Sequence, residues 1–135
     1  MGGDRRIVRE WAGSRVQAPE DLRQLLLSAW QADTSFAPDQ WSAANPALGQ
    51  CAVTALIVQD LFGGELMRGC LDEGSHYWNR LPNGQEVDLS SGQFGVDPII
   101  SGVEPRSRDY VLSYPATGAR YCRLLSHLRC PAEGQ

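Results

Sequence analysis

The sequence predicts one domain of the α+β class, in which a buried helix packs on a small antiparallel sheet between two flanking helices. Residues 51–62 are apolar on almost every side, as is typical of a helix in a protein core. Residues 76–90 contain two strand-like runs around a Pro-Asn-Gly sequence at 82–84, which is the pattern of a β-hairpin. Apolar residues recur with helical spacing at 19–31 and 116–129, and these segments supply the flanking helices.

The length and composition suit one globular domain. The chain has 135 residues, of which 42% are hydrophobic, enough to build one core. No apolar run approaches the roughly 20 residues of a membrane span, and the first eleven residues lack the apolar stretch of a signal peptide. We therefore expect a cytoplasmic protein that does not bind membranes. The net charge of −4, without a basic stripe, argues against nucleic acid as a partner.

The N-terminal third is predicted to hold one helix between two irregular segments. Residues 1–17 carry little hydrophobic pattern, so we expect a loosely docked, flexible arm. The helix at 19–31 has Pro19 in its first turn, and acidic residues follow where the helix dipole is positive. Residues 32–50 contain two Pro residues and a Gly residue, which predict a long ordered loop.

The remaining elements follow from similar short-range signals. The buried helix at 51–62 ends at a Gly-Gly pair, a common helix stop. Residues 65–71 predict a strand that leads into the hairpin. The segment 91–108 contains several Gly and Pro residues and is expected to be irregular. Residues 110–113 predict a short strand before the closing helix at 116–129.

The turn of the hairpin decides which face each strand residue occupies. The Pro-Asn-Gly sequence at 82–84 fits a three-residue loop, with Pro in a type I turn and Gly in the left-handed conformation. Leu81 then pairs with Gln85, and His76 and Asp88 become diagonal neighbours on one face, within reach of a side-chain hydrogen bond. A two-residue Asn-Gly loop would move Asp88 to the opposite face. Pro favours the three-residue loop.

Cys51 lies at the start of the buried helix, where a thiolate is favoured. The first N–H groups of a helix carry the positive end of its dipole, and a nearby imidazolium would favour the thiolate further. We therefore expect Cys51 to be a nucleophile, His76 its proton-transfer partner and Asp88 the group that orients the imidazole. The helix N–H groups could form an oxyanion hole. A side chain from Gln50 or Asn45 could add a donor, and the residue types do not choose between them.

Each candidate also has a purely structural interpretation. Cys51 could be an inert buried thiol, and His76 and Asp88 could support a strand and a turn. Three ligands without a closely spaced pair make a poor zinc motif, so we expect no metal and no other cofactor. The four cysteines include no C-x-x-C pair, and without an export signal they are expected to be reduced.

Three further side chains are candidates for substrate binding: Trp78, Trp41 and Asn79. Aromatic rings often line small-molecule pockets, but Trp78 and Trp41 could equally belong to the core. Asn79 could contact a substrate, or could lie on the hairpin edge and keep it soluble.

The runs NPALGQCAVTALIVQDLFGGE and GSHYWNRLPNGQEVDLSSGQF resemble the YunG-like family of small bacterial proteins. Weaker similarity extends into both flanking helices and covers most of residues 22–128. The order of Cys on a helix, His on a strand and Asp on the next strand is similar to the papain-like and transglutaminase-like superfold, which includes the NlpC/P60 amidases. The resemblance implies this fold and a Cys51–His76–Asp88 triad. The Ser-Ser-Gly sequence at 90–92 departs from the Thr and charged residue expected there.

These observations together predict a cysteine-dependent hydrolase or acyltransferase that acts on a small amide, ester or thioester through an acyl-Cys51 intermediate. With 135 residues the domain has little room for the long cleft of a general protease, so a small-molecule substrate, of the kind found in metabolite processing, is expected. Two other classes fit the same residues: a non-catalytic binding module, and an isomerase, cyclase or lyase that uses Cys51 and His76 without an acyl-enzyme. The sequence names neither the substrate nor the oligomeric state.

Overall fold

The structure is a computed structural model that describes residues 5–13, 15–72, 74–93 and 99–129. Within these residues it contains five α-helices and four β-strands: α1 (Arg5–Ala12), α2 (Pro19–Ala29), α3 (Cys51–Phe62), β1 (Glu65–Leu71), β2 (Gly74–Arg80), β3 (Glu86–Val87), β4 (Ser101–Arg106), α4 (Arg108–Leu112) and α5 (Thr117–Arg129). None of the helices described is long and apolar enough to cross a membrane.

The four strands form one antiparallel sheet in the order β3-β2-β1-β4. Strands β1 and β2 pair along their whole length, from Glu65 opposite Arg80 to Leu71 opposite Gly74. Helix α3 packs on β2 and is covered on other sides by α1 and α5. The α+β class predicted from the sequence is confirmed, with a small antiparallel sheet and flanking helices.

Helix α3 is the centre of the core, as its all-round apolar sequence predicts. Residues 53–60 are buried without interruption, and burying side chains such as Leu56 and Ile57 contributes about 1.5–3 kcal/mol each. The helix ends at Gly63, whose φ of 77° favours Gly. Asn79 Nδ2 on β2 donates a hydrogen bond to the carbonyl of Ala55 at 2.9 Å, which ties the helix to the sheet.

A buried polar network joins α3, α4 and α5. Arg108 Nη2 lies 2.9 Å from Asp60 Oδ1, and the Asp60 side chain is fully buried. The Tyr121 hydroxyl donates to the same carboxylate, and burial raises the pKa of Tyr121 above its ordinary value. Arg108 Nη1 also donates to Gln59 Oε1 at 3.0 Å. The charge of Arg108 is therefore matched inside the protein.

Three of the predicted segments differ from the structure. Within the segment 91–108, which is expected from the sequence to be irregular, Ser101–Arg106 form strand β4, because they pair with β1. Residues 5–12 fold as helix α1 rather than a loosely docked arm, and Val8 and Ala12, one turn apart, are buried in its contact with α3. Residues 108–112 form helix α4 rather than a strand at 110–113, because the Ser107 hydroxyl accepts from the backbone N–H of Tyr110 at 3.0 Å. This cap outweighs the strand preference of the Tyr-Val pair.

Candidate active site

The hairpin turn brings His76 and Asp88 together. Leu81 N–H donates to the carbonyl of Gln85 at 2.8 Å, and Gly84 has a φ of 91°. The three-residue loop predicted from the sequence is therefore confirmed, with the register that places His76 and Asp88 on one face. His76 Nε2 lies 2.6 Å from Asp88 Oδ2.

The second oxygen of Asp88 is held by the residues that follow it. Asp88 Oδ1 accepts hydrogen bonds from the backbone N–H of Ser90 at 3.3 Å and from its hydroxyl at 3.2 Å. Ser90 is buried, so this local turn fixes the direction of the carboxylate. Because a carboxylate can only accept, the proton between the two side chains is assigned to Nε2 of His76. The Ser-Ser-Gly departure seen in the sequence thus supplies the group that orients Asp88.

Trp78 covers the same face of the sheet two residues further along β2. Its ring stacks on His76, with ring centroids 5.8 Å apart and an interplanar angle of 24°. Its indole N–H donates to Glu86 Oε1 at 2.8 Å. Gly69 on β1 leaves room for the indole, because a Cβ there would lie 3.1 Å from a ring carbon. Trp78 is therefore anchored by Glu86 and packs against the imidazole.

Cys51 reaches His76 because α3 begins beside β2. Cys51 is half-buried, whereas His76 is 1% exposed. Burial alone would lower the pKa of His76, but hydrogen bonds with Asp88 and Cys51, together with their charges, raise it to about 9. Since Nε2 is engaged with Asp88, Nδ1 is the ring nitrogen that remains for Cys51. At neutral pH the imidazolium is therefore favoured, so the fold places a cation beside Sγ of Cys51.

A cavity of about 660 Å³ opens onto Cys51 and His76. This volume falls in the range of small-molecule sites, roughly 300–1,000 Å³. Its walls come from the loop before α3, from the paired ends of β1 and β2, and from α4 and α5. The other described residues that line it are Phe36, Ala37, Gln40, Leu48, Gly49, Ala52, Leu71, Gly74, Ser75, Tyr77, Val111, Tyr114, Thr117 and Arg120.

Neither of the two side chains expected to donate to an oxyanion is among the described residues that line this cavity. Gln50 is fully buried, its Oε1 accepting from the Thr34 hydroxyl at 2.8 Å and its Nε2 donating to the carbonyl of Gln31 at 3.1 Å. Asn45 lies in the loop, where it forms a β-bridge with Ser42. The backbone N–H groups in the first turn of α3 are the donors that the fold presents beside Cys51.

The three predicted substrate-binding side chains also lie outside the described lining of the cavity. Trp41 donates its indole N–H to the carbonyl of Pro46 at 2.9 Å and so closes the loop before α3. Asn79 is buried against Ala55 of α3. Trp78 packs against His76, so each of the three has a structural contact in the described part of the chain.

Residues 18–130 match the profile of the family described as YunG protein. The chain belongs to the YunG family. A protein of Bacillus subtilis (strain 168) named "Uncharacterized protein YunG" is 37% identical over 90 residues, which make up 67% of this chain and 74% of that protein. No solved structure matches the chain. The YunG resemblance read from the sequence is confirmed.

The YunG match extends from the residue before α2 to the residue after α5, so it includes Cys51, His76, Asp88 and every described wall of the cavity. Helix α1 lies outside it. Among the residues that the structure describes, no group of three or more His, Cys, Asp or Glu side chains could hold a metal ion. The described cysteines are unpaired thiols.

Several lining residues of this YunG family member were not anticipated from the sequence, and Arg120 carries the clearest signal. It stands one and two helical turns before Leu124 and Leu128 on the buried face of α5. An Arg in an apolar stripe is unusual, because charged side chains are seldom fully buried without a partner. Phe36 and Tyr114, whose rings stack at 6.4 Å beside the cavity, have no comparable signal because their segments lack a regular period.

Proposed function

We propose that this YunG family protein is a cysteine-dependent hydrolase or acyltransferase that acts on a small amide, ester or thioester through an acyl-Cys51 intermediate. The observation that carries the proposal is the hydrogen-bonded series Cys51–His76–Asp88 at the wall of a cavity of about 660 Å³. Nucleophile, base and orienting carboxylate in hydrogen-bonding sequence are the arrangement that activates a thiol.

The order of elements supports a papain-like or transglutaminase-like fold as part of this proposal. The nucleophile begins a helix buried against an antiparallel sheet, the histidine lies on the adjacent strand β2, and the carboxylate follows β3. The Trp78 ring and the Ser90 turn protect and orient the His76–Asp88 pair. A thiol that served only as core packing would need none of these contacts.

In the acylation step, the Cys51 thiolate attacks the acyl carbon and forms a C–S bond. The N–H groups in the first turn of α3 stabilise the developing oxyanion. The bond from the acyl carbon to the leaving nitrogen, oxygen or sulfur then breaks, and the leaving group takes a proton from the His76 imidazolium. A pKa of about 9 keeps that proton available at neutral pH.

In the second step, water or another nucleophile attacks the acyl-Cys51 carbonyl. His76, neutral after the first step, accepts a proton from the incoming group, and the C–S bond breaks to regenerate the thiolate. With water the net reaction is hydrolysis, and with an alcohol, amine or thiol it is acyl transfer. Asp88 holds the Nε2–H of His76 through both steps, so the ring keeps one orientation.

Mass spectrometry of the intact protein after incubation with p-nitrophenyl acetate tests the proposal. We expect one acetyl group on Cys51, none in Cys51→Ala, and slower formation in Asp88→Asn. Cys122→Ala, which removes an exposed thiol, is the matched control and should acylate like the wild type.

Two other results would point to the other functional classes. A Cys51 that reacts with iodoacetamide no faster than the exposed Cys70 and forms no acyl adduct would contradict the proposal and favour a binding module. A fast-reacting Cys51 that forms no acyl adduct with esters, thioesters or amides would favour isomerase, cyclase or lyase chemistry.

A further inference from the structure

Arg120 is a buried cation in the wall of the cavity that also contains Cys51. It is 6% exposed. Its Nη1 donates to the carbonyl of Thr34 at 3.3 Å and its Nη2 to the Thr117 hydroxyl at 3.2 Å. Its guanidinium also lies 5.5 Å from the centre of the Phe36 ring. All of these partners are neutral, so they position the guanidinium without matching its charge.

Arg108, which is half-buried and lies outside the described lining of the cavity, shows how the same fold matches the charge of another arginine. Its guanidinium pairs with the buried carboxylate of Asp60 at 2.9 Å. Among the residues that the structure describes, Arg120 has no such carboxylate in ion-pair contact. Burial lowers the pKa of Arg120, and the charges that act on it are those of Cys51, which raises this pKa, and Arg123, which lowers it. A buried charge without a counter-charge destabilises the fold, unless a ligand of opposite charge binds to it.

The other described side chains that line the cavity do not match this positive charge. The chain has 16 Asp and Glu residues and a net charge of −4, yet none of the described lining residues is acidic. Asp88 lies behind the His76 ring and outside the described lining. Among the described lining residues, the guanidinium of Arg120 therefore has no acidic side chain to match its charge.

We propose that Arg120 binds a carboxylate of the substrate, so that the acyl compound attacked by Cys51 carries a second, anionic end. This inference rests on the proposed function and narrows its substrate class. A guanidinium offers paired N–H donors whose geometry fits a carboxylate. Phe36, which stacks on Tyr114 beside the cavity, contacts the same guanidinium and keeps it directed into the cavity.

Direct binding tests the inference without any reaction at Cys51. Calorimetric titration of Cys51→Ala compares succinate, glutarate and adipate with their uncharged diamides. We expect at least one dicarboxylate to bind about tenfold or more tightly than its diamide, because charge-assisted hydrogen bonds are the strong ones. Adding Arg120→Gln should abolish the difference, and Arg120→Lys should retain part of it. Arg123→Gln, which removes an equal charge from the exposed side of the same helix, should leave it unchanged.

A pair of alkylating reagents tests it on the intact site. N-(iodoacetyl)glycine carries a carboxylate and its methyl ester does not, while the reacting group is the same. We expect Cys51 to react about tenfold or more faster with the acid than with the ester, and Arg120→Gln to remove the preference. The ratio of the two rates is independent of how reactive the thiol is.

The two proposals therefore fail in different ways. A slow reaction of Cys51 with both reagents counts against the nucleophile, and the calorimetry still decides on Arg120. Equal rates with a fast thiol, or dicarboxylates that bind Cys51→Ala no better than their diamides, would overturn the inference. If Arg120→Gln does not fold, which thermal unfolding would show, Arg120→Lys takes its place in the test. An Arg120→Lys variant that keeps the wild-type ratio of the rates with the acid and the ester would also overturn the inference.

Discussion

The pKa of His76 makes folding stability depend on pH in a defined direction. It is raised from an ordinary value of 6.5 to about 9. A group that binds its proton more tightly in the folded state stabilises the fold fully below its unfolded pKa. That stabilisation is lost as the pH rises through the folded pKa. The free energy of unfolding should therefore fall between pH 6.5 and about 9.

The size of this effect follows from the pKa shift. Each pKa unit corresponds to ~1.4 kcal/mol, so a rise from 6.5 to about 9 lets protonation of His76 stabilise the fold by at most about 3–4 kcal/mol. Since His76 is only 1% exposed, water screens the interactions little. Urea unfolding followed by tryptophan fluorescence, repeated across this pH window, measures the change.

His76→Gln is the matched control, because its amide can still donate to Asp88 but does not titrate. The fall in stability should be much smaller in this variant. The chain has two histidines, His76 and His127, so an NMR titration of labelled histidine gives two resonances, and His127→Gln assigns them. A His76 resonance that titrates near its ordinary pKa of 6.5, or wild-type stability that stays flat through the window, would refute the reasoning.

Three further outcomes follow from the contacts of single residues. Asp88→Asn removes the first partner that raises the pKa of His76, so the NMR inflection should move from about 9 toward 6.5; an unmoved inflection would contradict the assignment. Asp60→Asn removes the fully buried carboxylate that pairs with the half-buried Arg108. It should cost about 3 kcal/mol in urea unfolding, the lower end of the range for a broken buried pair, because Arg108 is partly exposed, and a loss below about 1 kcal/mol would show that the pair is not essential. Gly49→Ala puts a Cβ 2.9 Å from the backbone nitrogen of Phe36, at a φ of 74°, and should lower the free energy of unfolding by about 3 kcal/mol. Gly84→Ala meets no atom within 4 Å and should lower it by only about 1 kcal/mol. Equal losses of stability would contradict this prediction.

Sequence reasoning located α3 and the hairpin because local signals in these segments agree with the tertiary contacts. Residues 51–62 are apolar on all sides and end at a Gly-Gly pair, and the helix has these bounds in the structure. At 82–84, Pro and Gly each favour the conformation that they adopt, so one register satisfies the turn and the buried face together. The juxtaposition of His76 and Asp88 follows from that register and from no long-range information.

The parts that were missed depend on contacts between distant segments. Strand β4 is almost entirely exposed, so its sequence has no alternation, and it is defined only by pairing with β1. Gln50 resembles an oxyanion donor by its position before Cys51. However, the hydroxyl of Thr34, sixteen residues earlier, donates to its amide oxygen in the interior of the protein. Arg120 donates a hydrogen bond to the carbonyl of Thr34, which lies 86 residues earlier in the chain. The periodicity of α5 indicates that Arg120 is an unusual residue on the buried face of the helix. It does not predict which residues Arg120 contacts.

The division between predicted and missed residues matches a division in the site itself. Cys51 and His76 lie on α3 and β2, two packed elements that Asn79 joins at Ala55, so their separation is set by the core. Phe36, Tyr114 and Arg120 belong to a loop and to the C-terminal helical region, which share few contacts with the sheet. Rigid elements hold reacting groups more accurately than loops do. In the proposed function, the reacting atoms are therefore positioned by the part of the fold that the sequence specifies locally. The part assembled from distant segments is where we propose that the carboxylate of the substrate binds.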